Sequence, residues 1–411
     1  MLTITENYDD AVQKVLSLTE KFNLPALKSK AILSSANQLS EIIDQLPVST
    51  KQSLIDYRNS NSKAYLSEAL LFAETSGTTG APLQIPRTRL DLANGVRNYT
   101  EAYKTVVRPG EDRVAFIHPS ILSPLRDLTV RSLQDLGVGI MTLFPIPGLC
   151  SFQRIHHVLS QNEVTTLLTS PSIVYQLLFN FSKLGLQFPL SINKVLVTGE
   201  YFSRSIADNI RRLIGRECHI APIIYGANEI GMMMYGDDRF TYRGVTRDFV
   251  FECLPLENPD LYTSFVPDGV QIGELLVTGL TPTIMPVIRY ATRDVFNFVP
   301  DQDGGCRFEH LGRKDDYPVN LRQRNSVDDV LYSLSEPIFH HQLILNKRSS
   351  IATIQILSRG TISAKEQTEV VDRLREILGD SIKVTLETQN YDGDFVDSEC
   401  VAKINRFILA A

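Results

Sequence analysis

Between residues 74 and about 300, short β-rich runs alternate with stretches of helical length, and this alternation narrows the possible folds most. The runs "VAFIH", "GIMTLF", "TTLLT", "KVLVTG" and "PIIYG" are largely apolar. Strands of that kind are buried on both faces by covering helices. The intervening segments, such as "YFSRSIADNIRRLIG", are long enough for such helices. Further on, "GELLVTGL" and "PVIRYATRDVFNF" read as two strands around a turn at "TPTIMP". After "EHLGRKDDYP" the pattern becomes strand ("IATIQILS"), helix ("AKEQTEVVDRLREILG"), strand ("IKVTLET"). Residues 7 to 70 read mostly as helix, with Val12, Val15 and Leu16 on one face. At 411 residues the chain exceeds one ordinary domain. The expected fold is α/β. A large domain of layered sheets and helices covers 1–312, with a helical lead-in over 1–65. A small α+β domain covers 313–411, with the linker near 312–318.

The bulk numbers exclude several classes. A formal net charge of -6 and no long basic run argue against nucleic acid as the main partner. The stretch "GVGIMTLFPIPGLCSF" is too short for a membrane span and is broken by Pro145 and Pro147. The polar, acidic start "MLTITENYDDAVQKV" is unlike a secretory signal. Five dispersed cysteines suit a reducing cytoplasm better than a disulfide framework.

One loop invites chemistry. In "ETSGTTGAPL", Gly77 and Gly80 permit close backbone approach, and Thr75, Ser76, Thr78 and Thr79 add four hydroxyls. Such a loop can wrap an anion. It is not a Walker A loop, because Ala81 and Pro82 stand where Lys and Ser/Thr are needed. On these residues alone, an anion grip and a Ser/Thr/Gly hairpin turn remain equal alternatives.

"TSGTTGAP" resembles the phosphate-gripping loop of the adenylate-forming (acyl-activating) enzymes, above all the phenylacetate–CoA ligase-like branch. Further motifs follow in that family's order: "TSPS" at 169–172, "VTGE" at 197–200, "YGANE" at 225–229, "MPVIRYATRD", "LGRKDD" at 311–316 and "AKINRF" at 402–407. The likeness covers roughly residues 65 to 411. It implies a mobile C-terminal domain and a two-step reaction. A carboxylate attacks the α-phosphate of ATP to give acyl-AMP and pyrophosphate, and a thiol then takes the acyl group.

The same resemblance implies roles. Thr75, Ser76, Gly77, Thr78, Thr79 and Gly80 grip the β- and γ-phosphates, with Arg87 as a substitute for the lysine that often follows the loop. Gly199, Glu200 and Tyr201 line the base, and Tyr225 stacks on it beside Gly226. Asn228, where Thr or Ser is usual, donates to a phosphate or acyl oxygen. Glu229 binds Mg²⁺, which takes few protein carboxylates. Asp294 accepts from the ribose hydroxyls, and Arg313 reaches ribose or phosphate. Asp315 is the hinge. Lys403 bridges the acyl carboxylate and the α-phosphate. His118, Ser170, Pro171, Ser172 and Ala227 build the acyl pocket, whose apolar surroundings favour an aromatic or other hydrophobic acid.

After the hinge, "YPVNLRQRN" has no glycine where the family brings the thiol arm close. The acceptor is therefore open between coenzyme A, the phosphopantetheine arm of a carrier protein, and an amine. An amide-forming ligase and a nucleotide-binding homologue without turnover are the alternatives. The branch often forms homodimers, an assembly the resemblance allows here. Cys253, Cys306 and His310 are too loosely spaced to indicate a structural zinc.

Overall fold

The computed structural model describes residues 2–24, 36–75, 82–120, 122–146, 148–281, 283–301, 305–314, 317–389 and 404–410. Within them the α/β expectation holds. A twelve-stranded sheet forms the large part of the chain and a four-stranded sheet the C-terminal part. The parallel half of the large sheet runs, in spatial order, Gly139–Thr142, Arg113–Ile117, Thr166–Thr169, Lys194–Thr198 and His219–Ala227. All four residues of Thr166–Thr169 are buried, as a strand covered on both faces requires. The antiparallel half continues through Gly231–Gly236, Tyr242–Gly244, Cys306–Arg313, Tyr290–Pro300, Gln271–Gly279 and Phe249–Pro255. It ends on Leu2–Ile4, so the start of the chain closes the far edge.

A separate hairpin, Leu71–Glu74 with Gln84–Arg87, presents the glycine-rich loop. The small sheet has the order Lys383–Gln389, Ile351–Ser358, Ile338–Asn346, Phe407–Leu409. Its last strand pairs parallel with the third, Phe407 opposite Leu343.

The helix Pro171–Lys183 joins the two parts. Ser170 caps it by accepting from the Ile173 N–H, and proline occupies its first turn. Every residue from Pro171 to Phe181 is buried, as expected of a helix apolar all round. One side meets the large sheet. The other meets the small domain, where Phe179 packs edge-on against Phe339 at 5.7 Å and Tyr175 stacks on Tyr332 at 6.1 Å. A single hydrophobic cluster therefore runs from Leu167 and Val195 through this helix to Leu343 and Phe407. Each fully buried side chain of this size contributes about 1.5–3 kcal/mol. No helix among the described residues is long and apolar enough to cross a membrane.

Candidate active site

The C-terminal ends of the parallel strands, the hairpin and the C-terminal segment enclose one cleft of about 1200 Å³. Ligands of open α/β sheets bind at this end of the strands. Of the residues assigned from sequence, Thr75, His118, Ser170, Gly199, Glu200, Tyr201, Tyr225, Gly226, Ala227, Asn228, Glu229, Asp294 and Arg313 all line it. Pro171 and Ser172 are buried behind it rather than in its wall. Ser76, Gly77, Thr78, Thr79, Gly80, Asp315 and Lys403 lie outside the described residues.

Asp294 is held from both sides in the wall. The backbone bulges on either side of it: pairing with Gln271–Gly279 slips between Glu274 and Leu276, and pairing with Cys306–Arg313 slips after Val295. Arg293 just before it is left-handed, at φ 64°. Bulges and such strained residues re-aim side chains near functional sites. Tyr225 Oη donates to Asp294 Oδ2 at 2.7 Å, and His310 Nε2 stands 3.5 Å from Oδ1. Burial pushes this carboxyl up. His310, Arg313 and the Tyr225 hydroxyl outweigh it, so the group stays below the usual aspartate range and ionised. Burial pushes the Tyr225 phenol well up, which keeps it a donor.

Glu229 sits in the turn that follows Ala227. Tyr290 Oη donates to its Oε1 at 3.2 Å. Arg87 braces the same turn, donating through Nη2 to the Asn228 carbonyl at 2.5 Å and through Nη1 to that of Ile230 at 3.3 Å. Its Nε carries no hydrogen bond among the described residues. Asn228 ties three segments together. Its Oδ1 accepts from Ser123 Oγ at 2.9 Å, and its Nδ2 donates to the Glu74 carbonyl at 2.8 Å. An amide does this through two separate atoms, whereas a Thr or Ser would have to do both from one oxygen. Thr75 is committed to the base of the loop, its Oγ1 accepting from the Leu83 N–H at 2.9 Å.

At the other end, Gly199 turns at φ 85° with His118 Nε2 only 3.1 Å from where a Cβ would stand. Glycine is required there on both counts. The Arg324 guanidinium lies 4.0 Å over the Tyr201 ring. Tyr317, Ile404, Asn405, Arg406 and Phe407 close this end from the small domain.

Sequence reasoning missed His310 as a partner of Asp294, Tyr290 as a partner of Glu229, and Arg324 and Arg406. Only His310 had drawn notice, as a metal ligand. Tyr290 and Glu229 are 61 residues apart and His310 reaches Asp294 only through strand pairing, so no local spacing signals these pairs. Burial pushes the thiols of Cys253 and Cys306 up to about 12.

No protein-family profile matches the chain. Among curated proteins it is 21% identical over 359 residues to the phenylacetate–coenzyme A ligase of Escherichia coli (strain K12), covering 84% of this chain and 80% of that protein. It is 25% identical over 169 residues to an oxalate–CoA ligase of Arabidopsis thaliana, covering 40% of this chain but only 32% of that protein. Among solved structures, a 2-hydroxyisobutyryl-CoA ligase in its postadenylation state superimposes with TM-score 0.76 at 16% identity, over 98% of this chain and 89% of that one. The same ligase in its thioesterification state superimposes at 0.60. The chain thus has the fold of the adenylate-forming enzymes, and its curated relatives, at 21–25% identity, are named as coenzyme A ligases, two of them phenylacetate–coenzyme A ligases.

Proposed function

We propose that the chain uses ATP to convert a carboxylic acid into an acyl-adenylate with release of pyrophosphate, and then passes the acyl group to a thiol. The observation that carries this reading is the meeting of Asp294, Glu229, the Gly199 turn and the base of the glycine-rich loop in one cleft. The curated relatives are named as ligases to coenzyme A.

Each residue then has a task. Asp294, ionised and fixed by Tyr225 and His310, accepts from the ribose hydroxyls. Gly199 lets the backbone approach the base. The glycine-rich loop supplies donors to the departing phosphates. Lys403 provides a cation where negative charge develops during attack, the largest usual term in such catalysis. Arg87 holds the Glu229 turn in shape through two backbone carbonyls. Glu229 fits a magnesium site. One oxygen is on Tyr290, and no group of three or more metal-binding side chains surrounds it among the described residues. That suits an ion which takes few protein carboxylates and keeps phosphate oxygens and water. When bound, it would neutralise phosphate charge.

The acid is aromatic or otherwise hydrophobic. The wall that includes His118 also contains Leu125, Leu128, Met232 and Met285. For the acceptor, coenzyme A is the thiol that the relatives' names support. A second reading, transfer to a carrier-protein arm or an amine, rests on the lack of any glycine between Gly312 and Gly360.

ATP–pyrophosphate exchange over a panel of aryl and aliphatic acids tests the first step. Lys403→Ala is expected to lower exchange by about 10²–10³, the usual loss of one preorganised electrostatic group. Unchanged exchange would remove that lysine from the mechanism. AMP release that depends on added coenzyme A separates the thiol reading from the other acceptors.

A further inference from the structure

Ser172 and Glu200, assigned by resemblance to the substrates, make their bonds to each other and to the C-terminal segment. Ser172 Oγ donates to Glu200 Oε2 at 2.6 Å, and the Ser172 N–H donates to Oε1 at 3.3 Å. With its proton committed to the carboxylate, the Ser172 hydroxyl has only lone pairs left. The Ile404 N–H takes one of them at 3.1 Å. The helix does not need this hydroxyl, because Ser170 already caps it. Two residues beyond Ile404, the Arg406 guanidinium lies 5.3 Å over Tyr175. Its Nε and Nη2 are buried without a hydrogen bond among the described residues. Burial disfavours its charge, but Tyr332, Tyr175, Glu200 and Asp328 together overcome that and hold it protonated. The segment 404–407 thus meets the large domain through one backbone bond to Ser172 and one charge facing Glu200 and Tyr175.

We propose that Ser172 and Glu200 form a receptor on the large domain for the backbone of the C-terminal segment, and that they act as positioning residues for adenylation. The link to chemistry is covalent: the Ile404 N–H belongs to the amide that joins it to Lys403. Glu200 sets the hydroxyl as an acceptor, Ser172 holds the amide, and Arg406 answers the Glu200 charge from the same segment. This inference rests on the adenylation reading given above.

Amide hydrogen exchange of the full chain tests it without any substrate. A hydrogen bond worth about 0.5–1.5 kcal/mol protects its amide about two- to twelvefold. Ser172→Ala and Glu200→Ala are therefore expected to speed exchange in the peptide covering Ile404–Leu409 by that factor. Helix Arg204–Ile214 should keep its protection and so report an intact fold. Unchanged protection of 404–409 in both variants overturns the proposal. In ATP–pyrophosphate exchange, Ser172→Ala should lower kcat about tenfold and leave the KM for ATP within about twofold. A raised KM with unchanged kcat would instead make Ser172 a substrate contact and also overturn it. Glu200→Gln keeps an acceptor oxygen and should fall between the wild type and Ser172→Ala. If the wild type exchanges pyrophosphate with no acid, the adenylation reading fails. The amide measurement still decides whether Ser172 docks the segment.

Discussion

At the scale of single residues, the site works through pairs. Asp294 is useful because Tyr225, 69 positions earlier, and His310 fix its two oxygens and its charge. Asp294→Asn removes the ionised acceptor and leaves Tyr225 and His310 facing an amide. Charge-assisted bonds of this kind are worth about 1.5–3 kcal/mol each. The dissociation constant for ATP, measured by titration calorimetry, should rise about 10-fold or more, and an unchanged constant would place the ribose elsewhere. The likeness of "RYATRD" to a family motif singled out Asp294, and the residue does line the cleft. Its support was not legible, because hydrogen-bond partners 69 residues away leave no local pattern. Thr75 shows the opposite limit. Four hydroxyls within five residues read as four donors to phosphate, yet the first also accepts from the Leu83 N–H that closes the hairpin, so its oxygen is held at the base of the loop.

At the scale of elements, the site depends on turns where side chains do not fit. Gly226 lies against the strand Gly231–Gly236, and a Cβ there would stand 2.5 Å from the Gly231 carbonyl oxygen. Backbone cannot yield as a flexible side chain does. Gly226→Ala is therefore expected to destabilise by about 1–3 kcal/mol and to displace the Glu229 turn. A lowered Tm together with weakened exchange checks it; wild-type values for both would mean that the turn tolerates a side chain. The strands themselves were readable: "TTLLT" and "KVLVTG" form buried parallel strands as their composition requires. The bulges beside Asp294 were not, because "ATRDV" carries no glycine to mark them. Nor was the pairing of Leu2–Ile4 with Phe249–Pro255, which depends on two segments about 250 residues apart.

At the scale of the whole molecule, the two sheets meet across a packed joint that combines apolar side chains with hydrogen bonds. Asn209 is central to it. Its Oδ1 accepts from the Ile338 N–H at 2.9 Å, and its Nδ2 donates to the Ile338 carbonyl at 2.8 Å and to Tyr175 Oη at 3.1 Å. Asn209 is fully buried. Asn209→Ala leaves both backbone groups of Ile338 unpaired, at about 1–3 kcal/mol each. The Tm is expected to fall by several degrees. No change would show that the joint is open in solution. The change of pattern near residue 312 marked where the large sheet ends and the small C-terminal sheet begins. The sequence hid the joint, because "PSIVYQLLFNF" reads equally as an ordinary core helix covered by one sheet.

The central claim is that the cleft makes acyl-adenylates. Exchange of labelled pyrophosphate into ATP, dependent on a carboxylic acid, reports that step alone and needs no knowledge of the acceptor. The account predicts acid-dependent exchange by the wild type with at least one aromatic or hydrophobic acid, and its loss in Asp294→Asn. Binding of ATP without exchange across such a panel would contradict it, and would leave a nucleotide-binding protein without turnover.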